Sequence, residues 1–298
     1  LKKRVEHTHC KSLVVGISGG LDSCLALLVA VRAMDLLGRD RKQIYSITMP
    51  CFGTTARTKG NAEILSEKLG VTLECIDITK SVLQHFEDIG QDPECHDVTY
   101  ENAQARERTK ILMDRSNQTG GMVVGTGDLS EIALGWATYN GDHMSMYGVN
   151  CSIPKSLIRC LIEYSATKAS PELAAVLRDV NATPVSPELL PPSDDGKIDQ
   201  KTEEILGPYD LHDFFLYHFI KYGAEPAKLR ALAVYAFAGE YAEELVDSTL
   251  RMFLRRFFTQ QFKRTCVPDG PKVGTIALSP RGDWRMPTDV CGNLWQWS

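Results

Sequence analysis

The sequence has no Cys-x-x-Cys pair, although it holds nine cysteines. Their odd number and scattered spacing exclude a disulfide framework and a zinc ribbon, and point to reduced thiols in a cytoplasmic protein. Long hydrophobic runs are missing too. The apolar stretch at 25–31 is far shorter than the roughly 20 residues a membrane span needs. No signal peptide is expected, because Lys2, Lys3 and Arg4 are followed by a polar stretch and only a short apolar run before Ser18. Basic charge is not in excess: 33 Lys and Arg stand against 38 Asp and Glu, a net charge of −5 that argues against a broad nucleic-acid footprint. Internal repeats and low-complexity tracts are absent. What remains is a chain of 298 residues with 43% hydrophobic content, enough for one large domain or two small ones with a full core.

The stretch 12–33 organises the chain. A short apolar run (Leu13, Val14, Val15, Ile17) suits a buried parallel strand, and the longer apolar stretch from Leu21 suits a helix. Ser18, Gly19 and Gly20 lie between them. Gly19 and Gly20 permit backbone angles other residues resist, and their N–H groups can converge on one anion with those of the first helical turn. Asp22 or Ser23 suits the helix cap. A Walker A loop is excluded, because no Gly-Lys-Ser/Thr end is present. An Asp beside a phosphate repels it unless a cation intervenes, so Asp22 suggests magnesium.

Further strands are expected at 43–49, 71–77 and 122–125, with helices at 57–69, 81–89 and 101–116 and a polar loop at 90–99. This alternation implies a doubly wound parallel sheet, with ligands beyond the carboxyl ends of the strands where their order reverses. The loops at Ser18, Pro50 and Thr126 should therefore share one edge. The second half reads as mostly helical, at 155–166, 171–180, 208–222 and 241–256. Residues 186–200 are rich in Pro and acid and suit a mobile loop. The aromatic segment 208–222 reads as a core or interface helix. His212 and His218 are six apart, which does not place them on one face as metal ligands. From Val267 onward the chain reads as an irregular arm with Trp284, Trp295 and Trp297 as anchors.

Asp128 and Glu131 have the spacing of a capping box, which alone accounts for them as well as a functional role does. Asn102 and Arg106 share a helix face at i,i+4. The pattern Ser-Gly-Gly-x-Asp-Ser between strand and helix resembles the pyrophosphate loop of the N-type ATP pyrophosphatases. The order SGGLDS, NAQARER, VVGTGDLSE, TYNGD and the lysine of CSIPKSL, with SPELLPP and LGPYDLHDFF after it, resembles NAD synthetase, in its glutamine-dependent form, from about Val14 to Arg264.

The resemblance implies an adenine nucleotide alpha-hydrolase-like, Rossmann-like fold with a helical carboxyl-terminal half. It implies amidation of nicotinic acid adenine dinucleotide with ATP and ammonia through an adenylated intermediate, releasing AMP and pyrophosphate. Ser18, Gly19, Gly20, Asp22 and Ser23 match the ATP loop, and Asp22 and Glu131 match magnesium ligands. Arg108 and Thr126 match ATP contacts, Lys155 a lysine on the ATP phosphates, and Ser186 a residue near them. Asn102, Arg106 and Asp142 match contacts to the dinucleotide. Lys263 and Arg264 resemble a late His-Lys-Arg motif in which Phe262 replaces the His; a solvated basic pair is the plain alternative.

A synthetase domain at 1–264 and an arm at 265–298 are the expected division. The family's amino-terminal glutaminase domain is absent from this sequence, which begins at Leu1 as a separated carboxyl-terminal domain would. A homodimer is implied, and the loops at 50–57 and 186–200 are candidate lids. Another synthetase on this fold, such as GMP synthetase or a tRNA-modifying enzyme, and a non-catalytic nucleotide-binding module both remain open at this point.

Overall fold

The computed structural model describes residues 1–53, 56–183, 189–190 and 202–295, with the backbone alone at 56–59. Helix α1 (Lys2–Thr8) leads into strand β1 (Ser12–Gly16) and helix α2 (Leu21–Leu37). Then come β2 (Ile44–Thr48), α3 (Ala56–Leu69), β3 (Thr72–Cys75), α4 (Thr79–Ile89), α5 (Val98–Thr119) and β4 (Gly121–Gly125). The chain continues through α6 (Leu129–Leu134), β5 (Tyr147–Gly148), α7 (Lys155–Lys168), α8 (Pro171–Ala182) and α9 (Thr202–Leu206). Helices α10 (Tyr209–Tyr222), α11 (Pro226–Ala236), α12 (Glu243–Thr259) and α13 (Gln261–Arg264) complete the regular structure before the arm.

The sheet is wholly parallel, in the order β3-β2-β1-β4-β5. Alternation along each strand splits its side chains between two layers. Leu13 and Val15 of β1 and Met122 and Val124 of β4 pack with α2, α3, α7 and α8 on one face. Val14 and Val123 pack with Val82 and Phe86 of α4 and Tyr100 of α5 on the other. Strand order reverses between β1 and β4, so a crevice opens beyond their carboxyl ends. Among the described residues no helix is long and apolar enough to cross a membrane.

A second core is helical. Phe215 and Phe219 of α10 and Phe253 and Phe257 of α12 are buried in it, with Leu129 and Leu134 of α6. The aromatic segment is thus a core helix. Trp284 and Trp295 anchor the arm against this core, while Trp297 lies outside the described residues. None of the nine cysteines forms a disulfide.

Several elements differ from the sequence reading. The polar start forms α1, because Val5 alone buries against the sheet layer. Strand β5 has only two residues, too few for any periodicity to register. Helix α11 was not anticipated, whereas α6 begins where the capping-box spacing of Asp128 and Glu131 placed a helix start. Neither Asp22 nor Ser23 is the cap of α2. Gly20 holds that position in extended conformation, and Asp22 lies in the first turn.

His212 is a core residue: its Nε2 donates to Leu206 O at 2.9 Å, and burial pushes the ring down to about 4. The unfolded chain, with an ordinary histidine, takes up a proton first. Stability from this group is therefore complete above pH 6.5 and is lost as pH falls toward 4, by up to about 3 kcal/mol. His212→Gln should flatten the fall in unfolding free energy between pH 6.5 and 4 in urea titrations; slopes equal to wild type would refute this.

Candidate active site

The turn after β1 needs glycine at one place: Gly19 has φ 88°, in the left-handed region. Ser23 braces the turn from inside the helix. Its Oγ accepts from Ser18 N at 3.3 Å and donates to Gly20 O at 3.1 Å. Gly20 N in turn donates to Ser18 Oγ at 3.2 Å. Ser18, Gly19, Gly20, Asp22 and Ser23 are thus one small-residue loop at the reversal of strand order.

The turn after β4 lies beside it. Asp128 Oδ1 accepts from Glu131 N at 2.7 Å and Glu131 Oε2 accepts from Asp128 N at 3.4 Å, a complete capping box. The same two residues also face Asp22 across the crevice, so the capping and functional readings hold together. Oxygens of Asp22, Asp128 and Glu131 lie within 4.8 Å of one another. Lys155, at the first turn of α7, drives its ammonium among them. Nζ donates to Asp22 Oδ2, and lies 2.9 Å from Glu131 Oε1 and 2.8 Å from Asp128 Oδ2.

Burial works against the charge of Lys155, yet the three acids hold its ammonium well above the ordinary lysine range. Three carboxylates facing one ammonium leave excess negative charge. Burial accordingly raises Asp128 well above its usual value, and Glu131 is pushed up to about 7, with Lys155 opposing both shifts. Asp128 is fully buried, as is Lys155, whereas the Asp22 and Glu131 side chains are 21% exposed. Asp128 is therefore closed off beside Lys155, while Asp22 and Glu131 face the crevice. Asp22 Oδ1 is buried with no hydrogen-bond partner among the described residues. An all-oxygen donor set with surplus negative charge and an idle carboxylate oxygen fits a hard divalent cation such as magnesium.

Asn150 joins the two turns. It is fully buried, and its Nδ2 donates to Asp22 O and to Thr126 O, each at 2.9 Å. Sequence reasoning missed it and missed Asp128 as a third acid in the cluster. No motif marks Asn150; only the meeting of two distant turns does.

Ser18, Asp22, Ser23, Thr126 and Glu131 line a cavity of about 450 Å³ that also takes in Arg108, Asn102, Asp142 and Lys263, whereas Asp128, Asn150 and Lys155 lie behind its wall. Arg108 Nε donates to Met49 O at 3.2 Å at the end of β2. Asn102, Arg106 and Asp142 converge on the turn at 138–142. Asn102 Oδ1 accepts from Thr138 Oγ1 at 2.6 Å, Asp142 Oδ1 accepts from Thr138 N at 2.7 Å, and Arg106 Nε donates to Tyr139 O at 3.3 Å.

Lys263 and Arg264 are not a solvated pair. Lys263 Nζ donates to Gly135 O and Ala137 O at 2.9 and 2.6 Å. Arg264 is buried, donates to Ala133 O at 2.8 Å and to Phe257 O, and is pushed down to about 9 by burial. Its guanidinium is held by carbonyls of α6 and α12, and Arg264 also lines the cavity beside Lys263. Phe262 packs on Tyr139 with ring centroids 5.6 Å apart. Ser186 lies outside the described residues, as do most of 186–200 and Thr54 and Thr55 of the 50–57 loop. Leu189 is described; it lines the cavity and accepts from Gln104 Nε2 at 2.8 Å.

Residues 1–249 match the family model described as NAD synthase. This chain belongs to the NAD synthase family. It is 40% identical to the glutamine-dependent NAD(+) synthetase of Mycobacterium leprae and 41% identical to that of Mycobacterium tuberculosis strain H37Rv, covering 99% of this chain and 47% of each relative. The chain thus spans about half the length of the curated relatives it matches. Its fold is that of a glutamine-dependent NAD(+) synthetase from Cytophaga hutchinsonii, with a TM-score of 0.79 at 18% identity over 97% of this chain and 52% of that one. An NH3-dependent NAD synthetase from Campylobacter jejuni shares it with a TM-score of 0.58 at 21% identity, covering 88% and 90% of the two chains.

Within this NAD synthase chain, Asn150→Ala should release the two turns from each other. Loss of two buried hydrogen bonds costs about 1–3 kcal/mol. Affinity for ATP measured by calorimetry should fall about tenfold; unchanged affinity in a folded variant would show that Asn150 does not hold the site.

Proposed function

We propose that this chain is the synthetase part of an enzyme that amidates nicotinic acid adenine dinucleotide to NAD, using ATP and ammonia. The observation that carries this reading is the cluster of three carboxylates and Lys155 beside the glycine turn, with Asp22 and Glu131 lining one cavity. Family membership favours this chemistry over GMP synthesis or a non-catalytic nucleotide module.

A carboxylate resists ammonia because the leaving group would be oxide. The pyridine carboxylate therefore attacks the α-phosphorus of ATP, expelling pyrophosphate. Ammonia then attacks the adenylated carboxyl carbon, and AMP leaves. The nucleophile belongs to the substrate, so the protein's task is positioning and charge stabilisation. Triphosphate carries about −4, against roughly +0.5 from one helix terminus. The small-residue turn at Ser18, Gly19 and Gly20 makes room for the outer phosphates, with Ser23 bracing it. Lys155 adds a compact positive charge. Magnesium would be held by Asp22 and Glu131, where it would supply the Lewis-acid charge that the departing pyrophosphate demands.

Arg108 and Thr126 contact ATP at the ends of β2 and β4. Asn102, Arg106, Asp142 and Lys263 shape the dinucleotide side through the turn at 138–142. Ammonia derives from glutamine in a longer protein carrying a glutaminase domain; the glutamine dependence in the relatives' names and their double length support this. Residues 1–264 form the synthetase domain and 265–298 its arm, in a cytoplasmic homodimer or larger homo-oligomer.

The test is pyrophosphate release with ATP, magnesium, ammonium and nicotinic acid adenine dinucleotide, each omitted in turn. Every omission, and chelation of the metal, should abolish formation of NAD. Asp22→Ala and Glu131→Ala should each lose at least about a hundredfold in kcat while remaining folded. Formation of ADP and orthophosphate, or release driven by xanthosine monophosphate, would refute the proposal.

A further inference from the structure

We infer that Asp213 is a positioning residue for the charge cluster, acting through Ser130 and Ser156. It lies on α10, in the LGPYDLHDFF segment, where the sequence reading assigned it no role, and its carboxylate is buried between the first turns of α6 and α7. Oδ2 accepts from Ser156 N at 2.9 Å and from Ser156 Oγ at 2.7 Å, and Oδ1 accepts from Ser130 Oγ. Ser130 Oγ itself accepts from Lys155 N at 2.9 Å.

The sequence neighbours of these serines explain the consequence. Ser130 immediately precedes Glu131, and Ser156 immediately follows Lys155. Glu131 and Lys155 form one of the contacts of the cluster, at 2.9 Å. Helix α7 has no side-chain cap of its own, because Pro154 holds its N-cap position. Its first two N–H groups would be orphaned and are instead taken by Ser130 and Asp213 from two other helices. A backbone bond from Leu129 N to Ile153 O, at 3.0 Å, also links the two segments. One bond is a pivot; the carboxylate with its three donors sets the rotation about it.

Asp213 therefore determines where the Lys155 stem starts relative to Glu131. A displacement of about 1 Å at such a group is enough to cost about a hundredfold in rate. Asp213 touches no reacting atom, so its effect should fall on kcat more than on KM. The catalytic consequence rests on the function proposed above; the placement of Lys155 does not.

Two variants test this. Ser130→Ala removes one arm of the bridge, and Asp213→Asn keeps the volume while replacing one acceptor with a donor. Each should lower kcat for pyrophosphate release by at least about tenfold, with KM for ATP within about threefold of wild type. Melting temperature should stay within about 5 °C for Ser130→Ala. Crystal structures of the same variants should show Lys155 Nζ drawn more than about 4 Å from at least one carboxylate that it contacts here.

If Asp213→Asn does not fold, Ser130→Ala decides alone. Lys155 still seated among all three carboxylates, or a kcat within twofold of wild type, overturns the inference. If wild type itself releases no pyrophosphate in any mixture, the proposed function fails. The crystallographic comparison then still decides whether Asp213 places Lys155.

Discussion

One buried ammonium among three carboxylates is the constraint on which this molecule depends. Lys155 is fully buried, and so is Asp128, its nearest closed-off partner. Ions in a dry setting persist only with close partners and satisfied donors. The crevice-facing acids, Asp22 and Glu131, make the set overcharged on its open side. That surplus is what a phosphate-bound divalent ion would offset, and it explains why a site for an anion contains acids at all.

The four charged groups come from three helices. Asp22 rides on α2, Asp128 and Glu131 stand at the start of α6, and Lys155 at the start of α7. Each lies in or next to a first helical turn, close to N–H groups that favour negative charge. Asn150 closes the seam between the turns following β1 and β4. The reversal of strand order opens the crevice, and the first turns of the helices furnish its walls.

Helix α6 is the piece shared between the sheet layers and the helical core. A helix of six residues has little stability of its own. It is held at both ends instead. Its capping box and Ser130 fix the start, while Arg256, Arg264 and Lys263 donate to carbonyls of residues 132–137 at its finish. Cations at that end also suit the helix dipole. The late basic pair thus belongs to the site through the backbone it supports, which its surface-like sequence context conceals.

Much of this was legible before any coordinates. Apolar runs bounded by glycine marked β1, β2 and β4, and the Ser-Gly-Gly-x-Asp-Ser turn marked the crevice, because strand periodicity and glycine placement are local properties of a chain. The motifs also named Asp22, Glu131 and Lys155. Their mutual contact, the third acid Asp128, the clasp by Asn150 and the bridge at Asp213 were decided by tertiary structure alone. Each joins residues far apart in the chain, and no local pattern records which distant donor a buried carbonyl or carboxylate will meet. Two-residue β5 escaped because it is too short to carry a period, and six-residue α6 was marked only by its capping box, since its extent depends on the neighbours that bury it.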